Sequence, residues 1–268
     1  MSTRIAIAGA AGKMGHAILK LALQDNRIRV TGAFERPDSV FIGTDIGVLA
    51  GKPTGKVEIV ESVEAAIENA DVLIDFTHPA AMEAHLKAVL KNKTGYVVGT
   101  TGLSEGHIAK LKAAGKKIPV VQSPNMSIGV NLLFKLSEMT AKALDEDYDI
   151  EIVEAHHRMK KDSPSGTALK LLEVVARARG RNIRKDAVCG REGETGARPR
   201  GQIGVLAMRG GDVVGEHTVF FLADGERVEL THKASSRDAF AQGAIKAAKF
   251  AAQKKNGFYN MLQVLGIS

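Results

Sequence analysis

In the first half of this chain, short apolar runs alternate with stretches of helical periodicity, and that alternation admits few folds. "RIAIAG" (4–9), "IRVTGAFE" (28–35), "DVLIDF" (71–76), "GYVVGT" (95–100) and "KIPVVQ" (117–122) read as buried strands. Residues 13–24, 79–92 and 104–115 read as helices between them, the first with an apolar face of Ile18, Leu19, Leu21, Ala22 and Leu23. Ser104 is a candidate N-cap of the third helix and Gly115 its candidate C-cap. Residues 36–56 lack periodicity and read as a loop. Strands joined by helices pair in parallel, need cover on both faces and cross over right-handed. The expected fold class is α/β, a Rossmann-type doubly wound parallel sheet.

The pattern changes after residue 126. A helix is expected over 127–144, a strand over 149–155 and a helix over 166–180, followed by a polar loop rich in Gly and Arg over 181–201. Three strand-like runs follow at 202–209, 213–222 and 226–234, linked by "RGGD" and "ADGE". Asp-Gly between alternating apolar runs is a hairpin signal. This part reads as an inserted α+β domain, an open antiparallel or mixed sheet with helices on one face. A last helix over 237–253, capped by Ser235 or Ser236, is expected to return to the first domain. The domains are then 1–126 plus 238–268, and 127–237.

Composition narrows the partners. A net charge of +7 raises the question of nucleic acid, but the chain has no Trp, three Tyr and 4% aromatics, so stacking platforms are scarce. Lys and Arg are interleaved with Asp and Glu rather than gathered in a tail, and no nucleic-acid partner is expected. No run of 18 apolar residues occurs, so no membrane span is expected. The N-terminal stretch has no apolar segment of the kind a secretion signal carries, and the lone Cys189 has no internal partner. A reducing, cytoplasmic location is the expectation.

The first strand-to-helix turn, "GAAGKMG", places Gly9, Gly12 and Gly15 where a phosphate would press on backbone N–H groups. The spacing is G-x-x-G-x-x-G rather than the commoner G-x-G-x-x-G. Glu35 ends the second strand, about twenty residues on, where a carboxylate can accept from the ribose hydroxyls of NADH. Arg36 follows and can pair with the 2′-phosphate of NADPH, so use of either cofactor is expected. Phe76, Thr77 and His78, then Gly99, Thr100, Thr101 and Gly102, then Ser123, Pro124, Asn125 and Met126 follow three further strands. Ligands of such sheets bind beyond the strands' carboxyl ends. Met126 reads equally well as core filler.

"EAHHRMKKDSPSGTALKLLE" (154–173) is the polar counterpart. His156 and His157 end a strand, Lys160 follows, and Pro164 and Ser165 suit the start of the next helix. Gly166 and Thr167 would present N–H groups to a carboxylate. Hydride added to a conjugated system leaves charge on a neighbouring atom, and a histidine or lysine can supply the proton. Adjacent histidines without a cysteine pair are poor chelators, so no metal is expected. A dehydrogenase acting on another small anionic substrate, or a non-catalytic NAD(P)H sensor, remains open on these residues alone.

"GAAGKMG", "GTTG", "SPNMSIGVN", "EAHHRMKKDSPSGTA", "VVGEHTVFF" and "THKASSRDAF" together resemble the 4-hydroxy-tetrahydrodipicolinate reductases, formerly dihydrodipicolinate reductases, over almost the whole chain. The resemblance implies reduction of a small cyclic dicarboxylate by NADH or NADPH, and a homotetramer formed through the second sheet. It implies that His156 and Lys160 are the proton donors and that His157, Gly166 and Thr167 hold the carboxylates. It implies a dinucleotide held by Gly9, Ala10, Ala11, Gly12, Lys13, Met14, Glu35, Arg36, Gly99, Thr100, Thr101, Ser123, Pro124, Asn125 and Met126. His78 stands where some members have Arg, and Met126 where some have an aromatic residue.

Overall fold

The computed structural model describes residues 2–52 and 56–267, so residues 53–55 of the expected 36–56 loop and both chain ends lie outside the described residues. In chain order the first elements are β1 (Thr3–Ala8), α1 (Lys13–Ala22), β2 (Ile28–Phe34), α2 (Ile46–Leu49), β3 (Ile59–Val60), α3 (Val63–Ile67) and β4 (Val72–Asp75). Then come α4 (Pro79–Asn92), β5 (Gly95–Val98), α5 (Glu105–Ala114), β6 (Pro119–Gln122) and α6 (Ile128–Ala143). The next are β7 (Asp149–His156), α7 (Gly166–Ala178), α8 (Ile183–Asp186), β8 (Ala187–Val188) and β9 (Ile203–Arg209). The last are β10 (Gly215–Ala223), β11 (Glu226–Ala234), α9 (Asp238–Ala251), β12 (Gly257–Tyr259) and α10 (Met261–Leu265).

The chain forms two compact units, 1–128 with 237–268, and 129–236. The first holds a seven-stranded sheet in the order β12-β6-β5-β4-β1-β2-β3, with every ladder parallel. Strand order reverses on either side of β1 and β4, as the doubly wound reading requires. Ile5, Ile7, Val72 and Ile74 turn one face toward Ile18 and Leu19 of α1 and Ala244 and Ala248 of α9. Ala6, Ala8, Leu73, Tyr96 and Val98 turn the other toward Ile67 of α3, Met82 of α4 and Leu111 of α5. Strands buried on both faces explain why these runs are continuously apolar rather than alternating.

The second unit carries a five-stranded sheet, β11-β10-β7-β9-β8. The "ADGE" link is the hairpin its Asp-Gly signals, since β10 and β11 pair antiparallel from Gly215↔Ala234 to Ala223↔Glu226. "RGGD" is not: β9 runs parallel to one edge of β7 and β10 antiparallel to the other, so the link crosses the end of β7. Ile150, Ile152, Val205, Val219 and Phe221 pack on α6 and α7 through Phe134, Leu171, Leu172 and Val175.

Ser104 caps α5 in a full capping box with His107, and Gly115 ends that helix. The expected cap of the last helix is a correction: Arg237, not Ser235 or Ser236, precedes α9, and it offers no side-chain cap bond. A second correction concerns the expected loop 36–56, which contains α2, capped by the Asp45 carboxylate accepting from Gly47 and Val48 N–H. Four residues are too few to show helical periodicity.

The returning helix α9 belongs to the first unit and bears on the loop after β6. A Cβ on Gly243 would stand 1.7 Å from the Met126 carbonyl oxygen. The helix therefore lies directly on that backbone, and Met126 is itself core, 2% exposed. Gly243→Ala is expected to destabilise the protein by about 1–3 kcal/mol by overpacking, despite the better helix propensity of alanine. Urea denaturation of the two proteins measures this.

Candidate active site

In the first unit the strand ends share one register line. Ala8 pairs with Phe34 and Asp75, Asp75 with Val98, and Val98 with Gln122. The loops that follow β1, β2, β4, β5 and β6 therefore leave the sheet along one edge, and this edge gathers the residues expected to hold a dinucleotide. Gly9 has φ +63°, and its N–H and that of Ala10 donate to Phe34 O at 2.9 and 3.3 Å. A Cβ on Gly15 would lie 2.1 Å from Gly9 O and 2.7 Å from Ala10 Cα, so only glycine lets α1 press onto the turn. Gly12 precedes α1 and supplies no side-chain acceptor to the first-turn N–H groups. Lys13 is exposed and Met14 half-buried. This tight, uncapped helix start fits the pyrophosphate of a dinucleotide.

Glu35 lies at the end of β2, and its Oε1 accepts from Ala11 N–H at 2.8 Å. The carboxylate thus braces the turn with one oxygen. Arg36 beside it is exposed. Thr100 is buried and Thr101 exposed. The ring of Phe76 fills the place of a Cβ on Gly99, at 2.3 Å. Ser123 is buried, Pro124 is exposed, and Asn125 Oδ1 accepts from Ser127 N–H at 2.8 Å. The Met126 side chain points into the core rather than along this edge.

The second unit assembles the histidine cluster. Residues two apart on a strand share a face, so Glu154 and His156 of β7 project together. Glu154 Oε2 lies 2.5 Å from His156 Nδ1. Arg209, paired with His156 across β7 and β9, donates to both Glu154 oxygens at 2.8 Å. Ser165 N–H donates to Glu154 Oε1 at 2.9 Å, which ties the start of α7 to the strand. Glu154 is 0% exposed. Burial pushes its carboxyl up, but the Arg209, His156 and Ser165 bonds outweigh it, and the pKa falls below the usual carboxylate range. The charge is therefore retained without solvent.

His156 is held below the ordinary imidazole value, first by burial and then by the charges of Lys160 and Arg209, against the partial support of Glu154. With Nδ1 directed at the carboxylate, Nε2 is the nitrogen left for a ligand. It faces Gly215, where a Cβ would stand 3.1 Å away. His217 meets the His156 ring edge-on at 5.2 Å, and its Nε2 lies 3.1 Å from Ser165 Oγ. Burial, and then His156, push its pKa down to about 3, so it is neutral. Lys160 pairs with Asp162 at 2.9 Å, and its N–H donates to His157 O at 3.1 Å. Ser165 caps α7 through Ala168 N–H at 3.2 Å. Gly166 opens the helix at the surface, with nothing within 4 Å of where a Cβ would be, and Thr167 follows.

Arg209, His217 and the bracing role of Glu154 were not expected from sequence. The spacing of Glu154 and His156 signals the last; the others are brought in by sheet pairing. Among the described residues, no group of three or more His, Cys, Asp or Glu side chains could hold a metal. No helix among them is long and apolar enough to cross a membrane. Arg209→Met would leave Glu154 buried without its main partner and is expected to cost about 3 kcal/mol in urea denaturation at pH 7. Because the Glu154 pKa is lowered in the folded state, the difference is full above the unfolded carboxyl value. It shrinks as the pH falls through the folded one.

The family model described as "Dihydrodipicolinate reductase, N-terminus" matches residues 3–126, and "Dihydrodipicolinate reductase, C-terminus" matches residues 129–265. The 4-hydroxy-tetrahydrodipicolinate reductase of Thiobacillus denitrificans is 50% identical over 267 residues, 100% of each chain. That of Ralstonia pickettii is 48% identical over 264 residues, 98% of this chain and 100% of the other. A dipicolinate-bound dihydrodipicolinate reductase from Paenisporosarcina superposes with a TM-score of 0.77 at 25% identity, covering 98% of this chain and 99% of that one. A DAP dehydrogenase from C. glutamicum shares the fold alone, with a TM-score of 0.55 at 16% identity over 98% and 93% of the two chains.

Proposed function

The chain belongs to the dihydrodipicolinate reductase family, and on that premise we propose how its residues divide the work. The reaction is the NAD(P)H-dependent reduction of the dehydrated form of 4-hydroxy-tetrahydrodipicolinate to tetrahydrodipicolinate, in diaminopimelate and lysine biosynthesis. The first unit binds the dinucleotide and the second the dicarboxylate. The observation that carries the catalytic assignment is the bonded chain Arg209–Glu154–His156, which orients one imidazole from a fully buried charge.

Bound NAD(P)H supplies the hydride. His156, its Nδ1–H donated to Glu154, presents Nε2 as proton donor to the ring atom that gains negative charge. Glu154 stabilises the imidazolium that this donation requires, and Arg209 keeps Glu154 ionised. Lys160 places a cationic donor on the loop that follows β7 and acts as the second proton source. The N–H groups at the start of α7, at Gly166 and Thr167, take up a substrate carboxylate with His157. Gly9 to Met14 cradle the pyrophosphate, and the loops at Gly99 to Thr101 and Ser123 to Asn125 flank the rest of the dinucleotide. Met126 contributes through its backbone, its side chain being committed to the core.

The exposed, outward-facing Leu206 and Met208 of β9 leave an apolar patch on the sheet face away from α6 and α7. This supports a homotetramer built through that sheet. A cytoplasmic location fits an exposed cysteine, Cys189, with no disulfide partner.

Turnover is followed with NADPH and a coupled synthase supplied with pyruvate and aspartate semialdehyde. His156→Ala is expected to lose about 10²–10⁴-fold in kcat while still binding the dinucleotide. An unchanged kcat would reassign the proton donor. Glu154→Gln removes an influence that raises the His156 pKa. The limb of log kcat/KM that falls with rising pH should therefore move to lower pH in this variant; a shift upward contradicts the assignment. For cofactor choice, we propose that both dinucleotides serve, Glu35 accepting from the NADH ribose and Arg36 pairing with the NADPH phosphate. Glu35→Ala should weaken NADH more than NADPH in paired binding titrations, although both lose the brace on Ala11.

A further inference from the structure

The first unit contains a buried ionisable cluster that none of the steps above employs. Asp75, the last residue of β4, is 0% exposed. Its Oδ1 accepts from Thr77 N–H at 2.8 Å, Thr77 Oγ1 at 2.6 Å and, more weakly, Thr100 Oγ1 at 3.4 Å. Its Oδ2 accepts from Tyr96 O–H at 2.6 Å and lies 2.7 Å from His85 Nδ1. Tyr96 of β5 and His85 of α4 are buried and frame the carboxylate from behind. Thr77 and Thr100 lie beyond the strand ends, in the loops after β4 and β5.

Those two loops touch the rest of the edge. Thr77 Cγ2 lies 3.1 Å from where a Cβ on Gly9 would stand, so its hydroxyl faces Asp75 while its methyl packs on the glycine turn. Phe76, between them, fills the space over Gly99. Gly99 N–H donates to Asp75 O at 2.8 Å, so the same residue holds both loops through its backbone as well. Phe34, the last residue of β2, meets the His85 ring edge-on at 5.0 Å. A sheet core has no need of a charge here, since burying one is unfavourable unless many donors surround it. Two of the residues that donate to Asp75, Thr77 and Thr100, lie in the loops a dinucleotide would touch, while Asp75 itself has no exposed surface.

We propose that Asp75 is a positioning residue of the dinucleotide site: its buried carboxylate clasps Thr77 and Thr100 and so keeps the loops after β1, β4 and β5 in their binding arrangement before the cofactor arrives. This rests on the reading of the first unit as the dinucleotide-binding one. The charge is maintained in place. Burial pushes the carboxyl up, but the bonds from His85, Thr77 and Tyr96 outweigh it and leave the pKa below the usual value.

The test is NADH titration by fluorescence on the full-length protein, with thermal melts alongside. Asp75→Asn keeps the shape but removes the charge and turns one acceptor into a donor. It is expected to raise the NADH Kd about tenfold while the protein still melts cooperatively. Thr77→Val keeps the methyl on Gly9 and loses the hydroxyl, and is expected to raise Kd about threefold to tenfold. Thr77→Ser keeps the hydroxyl and should stay within about twofold of the parent. Should Asp75→Asn not fold, the Val and Ser pair decides: equal weakening by both overturns the proposal. A folded Asp75→Asn protein with unchanged Kd also overturns it, and then any loss in Thr77→Val reflects direct contact with the ligand. The titration needs no turnover, so inactivity toward the dicarboxylate would sink the reductase reading and leave this result standing.

Discussion

A carboxylate that no solvent reaches must be ringed by donors or give up its charge. Each unit of this protein places one such group at the carboxyl end of a central strand, Asp75 on β4 and Glu154 on β7, both 0% exposed. The donors are drawn from more than one segment: Thr77, Thr100 and Tyr96 in the first unit, and Arg209 of β9 and the start of α7, beside His156 of the same strand, in the second. The energetic demand of a buried charge is thereby converted into fixed positions for loops and for the His156 imidazole. Removing a single donor is felt by the whole set, because those that remain must cover the same charge.

The arrangement also explains the division of labour in the His156 cluster. Glu154 must stay ionised to orient His156, and the bidentate Arg209 guarantees that. The neighbouring His217 is kept neutral, first by burial, and adds no second charge beside His156. Lys160 and Gly166 lie outside this buried knot, nearer the surface. A strong internal constraint and an adaptable outer layer lie within a few residues of one another.

Much of this was readable in advance. Continuous apolar strands with helices between them permit little besides a doubly wound sheet, and the G-x-x-G-x-x-G turn marked its binding edge. Ser104, Gly115 and Ser165 carry out the capping that their positions announce. The failures have two causes. The elements α2, β3, α3, α8, β8, β12 and α10 are five residues or fewer, too short for periodicity to register. "RGGD" has turn composition, yet its strands flank β7 instead of each other. Local sequence does not say which strand is inserted between two others.

By itself the sequence determined the class of fold, the glycine turn, the acidic end of β2 and the polar run after β7, because each follows from spacing along one segment. The tertiary structure alone decided that Arg209 would meet Glu154, that Thr77 and Thr100 would share Asp75, and that Met126 would turn inward. The Arg209–Glu154 and Thr100–Asp75 contacts join residues from different segments, and only the pairing of one strand with another brings them within hydrogen-bonding distance.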